Sequence, residues 1–144
     1  MIYSNKEDFD NANMFGQGAP NDGFAQYFVG NSFLNPLTDS KNGQFPLVNV
    51  TFEPGCYNNW HIHHAEKGGG QILICTAGEG WYQEEGKAAQ ELKEGTVIVI
   101  PPNIKHWHGA KKNSWFSHIS LAVPGENTSN EWFEAISDEE YNAL

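Results

Sequence analysis

The sequence contains no arginine: its eight cationic side chains are all lysines, set against 18 carboxylates, for a formal net charge of −10. Phosphate backbones are held by clustered Lys and Arg, and only Lys111-Lys112 stand together here, so nucleic acid is excluded as an expected partner. The same acidic balance argues against an anionic membrane surface. No apolar run approaches the length of a membrane span, and the opening "MIYSNKEDFD" lacks the apolar core of a secretion signal. Cysteine is nearly absent. Cys56 and Cys75 form neither a disulfide framework nor a Cys-x-x-Cys motif, so both are expected as reduced thiols in a cytoplasmic protein. Helical periodicity is scarce and solenoid repeats are missing.

What is present suits one globular domain. The 144 residues are 39% hydrophobic, including nine Phe, five Trp and five Tyr, enough for a single core and too many for a disordered chain. Residues 1–23 read as polar loop, and residues 26–36, "QYFVGNSFLNP", as an early strand. "LVNVTF", "QILICT", "GWYQEEGKAAQEL", "GTVIVIPP" and "SWFSHISLAV" then follow as strands and turns at spacings of about ten residues, the signature of a sandwich or barrel. The β-branched run "TVIVI" reads as core, halted by Pro101-Pro102. Only the C-terminus reads as helical, where Ser137 and Glu140 form a capping-box pattern. The expected organisation is an arm with an early strand packed on the barrel over 1–46, a barrel core with both metal motifs over 47–126, and a C-terminal strand/helix extension over 127–144.

All six histidines fall in three places: "HIHH", "HWH" and "SHIS". On a strand, residues i and i+2 share a face, so His61 and His63 project together while His64 points away. A same-face imidazole pair is half of a metal site, and the pair His106 and His108 can supply the rest.

These residues resemble the cupins, small β-barrel proteins. Gly55, five residues, then His61-Ile62-His63 matches the opening of the first cupin motif, and Gln71, six residues, then Gly78 matches its close. Gly95, five residues, Pro101, Asn103 in a glycine position, and His106 match the second. The sequence departs from the family pattern in three ways. Seven residues separate His63 from Gln71, Gln71 stands where the family carries a glutamate, and Ala110 replaces the final asparagine. The long gap makes Glu66 a rival for the place of Gln71, which is preferred because it keeps the spacing to Gly78; "HAEKGGG" then forms a flexible loop at the barrel mouth. The resemblance implies an all-β, single-domain jelly-roll barrel with a short C-terminal helix.

A narrower resemblance, carried by "GQ-x-L-I-x-T-A-G-x-G-W-x-Q", "KHWHGA" and "SHISL", is to the manganese cupins that act as hydroxynitrile lyases and to carboxymuconolactone decarboxylase-associated cupins. It implies one divalent transition metal on His61, His63, Gln71 and His106, with manganese favoured over iron, nickel or zinc. It also implies His118 as acid/base and His108 beside the pocket. A neutral Gln in place of Glu leaves the site one positive charge richer. The expectation is a lyase-like enzyme on a small-molecule substrate. A non-catalytic cupin that binds a metal or small ligand, and an iron-dependent oxygenase, are the alternatives. A homodimer or homotetramer is expected, with the strand near Tyr27–Leu34 as its exposed edge.

Overall fold

The structure, a computed structural model, describes residues 1–144. Nine strands have four or more residues: β1 (Ser32–Pro36), β2 (Val48–Phe52), β3 (His61–His64), β4 (Gln71–Glu84), β5 (Gln90–Lys93), β6 (Val97–Ile100), β7 (His106–Ala110), β8 (Phe116–Ala122) and β9 (Ser129–Trp132). Helices are short: α1 (Lys6–Ala12) and α2 (Asp138–Asn142). No helix is long and apolar enough to cross a membrane.

The strands close a jelly roll about β4, which belongs to both sheets. Its first half pairs antiparallel with β8 and β6, and β8 continues through β2 to β1. Its second half pairs with β5 and β7, and β7 leads to β3, which pairs in turn with β9. The crossover lies at Gly78, where φ is 73° and a Cβ would come within 1.8 Å of the Trp115 carbonyl oxygen. Only glycine fits so close an approach, which explains the residue that closes the first motif.

Between the sheets lies the larger core, in which Phe52, Leu73, Leu92 and Phe116 are wholly buried. Each such side chain contributes roughly 1.5–3 kcal/mol of hydrophobic stabilisation. Cys75 faces this core beside Leu73, and burial pushes its thiol up to about 12. A second cluster of Tyr57, Trp107, Ile136 and Tyr141 seats α2. That helix starts at the expected capping box of Ser137 and Glu140.

Four expectations need correction. Residues 1–23 are not all loop: α1 forms behind the Asn5 cap, which accepts the Asp8 N–H, and Phe9 anchors it at zero exposure. The early strand is broken at Gly30 (φ 82°) into Phe28–Val29 and β1. The expected edge is covered in part: Ala19–Pro20 pairs with Phe33 and Leu34 of β1, whose other side holds β2, while Phe28–Val29 ends its sheet, paired only with Tyr57–Asn58. "TVIVI" is only half core. Ile98 and Ile100 point inward, while Val97 and Val99 are 56% and 68% exposed.

Candidate metal centre

β3 and β7 lie side by side in register, His106 opposite His61. That pairing joins two segments of sequence, so the rings of His61 and His106 stand 4.2 Å apart and those of His61 and His63 5.0 Å apart. One ring nitrogen from each of His61, His63 and His106 lies within 4.8 Å of the other two, a group able to hold a metal ion.

Hydrogen bonds set which nitrogen faces inward. His61 Nδ1 donates to the Asn59 carbonyl at 2.9 Å and His106 Nδ1 to the Ile104 carbonyl at 2.8 Å. A carbonyl oxygen only accepts, so both Nδ1 atoms carry the proton and both Nε2 atoms keep a lone pair. His63 Nδ1 donates to Asn130 Oδ1 at 2.8 Å, and its Nε2 stands 3.0 Å from Gln71 Oε1. Two electron-rich atoms turned toward each other suit a shared cation. Gln71 Nε2 donates to Ser120 Oγ at 2.8 Å, holding the amide in place. Burial keeps His61 well below the usual imidazole value and His106 at about 4, so both rings are neutral near pH 7 and able to coordinate.

Glu66 does not reach this group. It is exposed and accepts from Asn127 Nδ2 at 2.7 Å. The extra residues between His63 and Gln71 form a pinned loop rather than a flexible one, since Lys67–Gly68 pairs with Gly125–Glu126. At Gly70 (φ 95°) a Cβ would lie 2.4 Å from the Ile100 carbonyl oxygen. Asn103, in the motif's glycine position, adopts φ 66°, a conformation Asn tolerates. Its side chain bonds both backbone groups of Ala65, and its N–H donates to the His63 carbonyl. His64 points away from the cluster and pairs with Glu131 at 2.6 Å.

A cavity of about 220 Å³ opens onto the site. His61, His63, Gln71, His108 and His118 form part of its polar wall, and Phe28, Val50 and Trp132 part of its apolar wall. His106 is not among the lining residues. His108 and His118 are buried with ring centroids 4.9 Å apart. Asn58 Oδ1 accepts the His108 backbone N–H at 2.9 Å, so Asn58 Nδ2 is the group 3.1 Å from His108 Nε2. His108 Nε2 therefore accepts, and its Nδ1 carries a proton that no protein group accepts. Neither nitrogen of His118 has a partner, and burial pushes that ring down to about 4.

Buried polar atoms are almost always hydrogen-bonded. Six buried side-chain polar atoms here are not, and four of them belong to His106, His108 and His118. Unpaired nitrogens concentrated in one place mark a site built to receive something.

Residues 48–117 match the cupin domain family. An (R)-mandelonitrile lyase of Granulicella tundricola is 36% identical over 127 residues, 88% of this chain and 94% of that protein. The chain belongs to the cupin superfamily. A crystal structure of a cupin-like protein from Thermotoga maritima shares 37% identity and superposes with a TM-score of 0.75, covering 90% of this chain and 95% of that one. A cupin 2 conserved barrel protein from Rhodopseudomonas palustris, at 15% identity and a TM-score of 0.62 over 88% of this chain and 81% of its own, shares the fold alone.

Sequence reasoning missed two residues of this cupin's site. Asn130 holds His63, and Trp132 stacks on His61 at 4.6 Å with Tyr27 stacked on its far face at 4.4 Å. Both sit on β9, whose "SNEW" carries no strand alternation that could have flagged it.

Proposed function

We propose that this cupin is a metal-dependent lyase acting on a small hydroxylated molecule. His61, His63, His106 and Gln71 would hold one divalent transition metal, manganese first, and His118 would move the proton. The observation that carries the reading is the group of His61, His63 and His106, each offering a ring nitrogen within 4.8 Å of the others, beside a cavity lined by His108 and His118 with their unpartnered nitrogens. The likeness to an (R)-mandelonitrile lyase supports cyanohydrin cleavage as the reaction to try first.

Bound there, the metal supplies Lewis acidity to a substrate oxygen, and the neutral Gln71 ligand leaves that acidity undiminished by a carboxylate. Three imidazoles and an amide oxygen would suit Mn(II) or Fe(II) better than Zn(II). His118, uncharged near neutral pH, accepts the substrate hydroxyl proton. The carbon–carbon bond breaks, its electron pair leaves with the departing carbanion, and His118 returns the proton to that group. His108 offers Nδ1–H to oxygen within the same cavity. Phe28, Val50 and Trp132 give the cavity an apolar side.

The test is cleavage of mandelonitrile under anaerobic conditions by protein as purified, chelator-stripped, and reloaded with Mn(II). Metal-dependent turnover without oxygen is expected. Turnover that requires oxygen would favour an iron oxygenase, and tight metal or ligand binding without turnover a non-catalytic cupin; either defeats the lyase reading.

A further inference from the structure

Two of the buried polar atoms without a partner are not histidine nitrogens, Gln17 Oε1 and Asn21 Oδ1, and only Asn21 lines the histidine cavity. Asn21 is 5% exposed. Its backbone N–H donates to the Ser32 carbonyl at 3.0 Å, and its Nδ2 to Ser32 Oγ at 3.1 Å. Ser32 opens β1, and Ala19–Pro20, just before Asn21, pairs with Phe33 and Leu34 of the same strand. The residue is thus clamped to the barrel through its backbone and its side-chain nitrogen, and only the amide oxygen is left over. That oxygen accepts hydrogen bonds and donates none. Keeping such an acceptor buried and unpaired costs stability, a cost that a ligand donor would relieve. The other polar, non-histidine groups of the cavity wall are already engaged: Asn58 with His108, and Ser120 with Gln71.

Asn21 reaches the cavity from the N-terminal arm, together with Phe24 and Phe28. All three precede residues 48–117, the range that matches the cupin family. The strands of the matched domain supply the histidines nearest the metal site, and the arm supplies this separate polar point. Between the two kinds of polar group the lining is apolar, with Phe28, Leu34 and Val50. The volume of about 220 Å³ falls below the roughly 300–1,000 Å³ of sites for drug-sized ligands, so the occupant is small.

We infer that Asn21 Oδ1 accepts a hydrogen bond from the substrate. The cavity then takes a small molecule with an oxygen for the metal at one end, a second hydroxyl or N–H donor at the other, and an apolar body such as one aromatic ring between them. The metal-bound end rests on the proposed function; the second donor is the addition. The apolar lining gives a ring contact area but does not tell a phenol from plain benzene. Asn21 does, because a ligand without the donor leaves its oxygen unpaired, and a site built around a hydrogen bond rejects such an analogue strongly.

Calorimetric titration of Mn(II)-incubated protein with benzaldehyde, 3-hydroxybenzaldehyde and 4-hydroxybenzaldehyde tests it, on the wild type, Asn21→Leu and Asn21→Ala, with circular dichroism as the check of folding. At least one hydroxybenzaldehyde is expected to bind the wild type about tenfold or more tighter than benzaldehyde. That preference should disappear in Asn21→Leu, which keeps the bulk and removes the acceptor; Asn21→Ala serves if the leucine variant misfolds. A wild type that binds none of the three aldehydes or binds all three equally, or a preference that survives in a folded variant, would overturn the inference. Mandelonitrile turnover decides the lyase reading separately. Turnover without the binding preference defeats this inference alone, and the preference without turnover defeats the lyase reading alone.

Discussion

Strands β3 and β7 carry the same His-x-His pattern, and the structure treats them differently. On β3 both His61 and His63 turn Nε2 toward the cluster. On β7 only His106 does so; His108 gives its Nε2 to Asn58 and keeps a protonated Nδ1. Spacing fixes the face a side chain shares, but the partner of its other ring nitrogen fixes what that side chain can do. Backbone carbonyls two residues back hold His61 and His106. A side chain from another strand redirects His108.

That contrast ranks the substitutions. His106→Ala removes a nitrogen assigned to the metal and should lower metal affinity by more than about 100-fold, beyond the range typical of supporting residues; calorimetric titration with Mn(II) measures it. His118→Ala should leave metal affinity unchanged and cut turnover about 10²–10⁴-fold, seen in steady-state kinetics of the fully loaded protein. Asn130→Ala frees the His63 ring and should weaken metal binding about 10–100-fold by the same titration. Asn58→Ala leaves the His108 amide and Nε2 buried without partners. It should cost about 1–3 kcal/mol of stability in urea unfolding of metal-free protein, with metal affinity nearly unchanged.

The last effect is a pH slope. His118 sits at about 4 in the native state, against an ordinary 6.5. Between those values the unfolded chain binds the proton that the native chain refuses. Stability is therefore complete above pH 6.5 and falls as pH drops toward 4, by up to about 1.4 kcal/mol per pH unit for this one ring. Replacing His118 with Phe should make the urea-unfolding stability of metal-free protein less steep over that window.

Much of this was legible in the residues. Alternating strands, the two histidine pairs and the spacing from Gln71 to Gly78 led to the barrel and to the side chains that meet in it. Gly78 reads as punctuation in sequence and proves to be a steric necessity beneath Trp115. α1 escaped notice because seven residues around a single buried Phe9 leave no periodic signal. A strand within 127–144 was expected, and β9 is it, but its place beside the histidines escaped because that comes from pairing with β3, a contact between segments more than sixty residues apart. "TVIVI" misled for a different reason: β-branched residues favour strands on either face, and composition does not tell an inner face from an outer one.

The most direct test of the metal centre is elemental analysis of wild-type, His108→Ala and His106→Ala protein, each purified without added metal. One divalent transition metal per chain is predicted in the first two and almost none in the third. Equal metal content in all three, or a wild type that retains none even after incubation with Mn(II), would contradict the assignment of His61, His63 and His106 to a single ion.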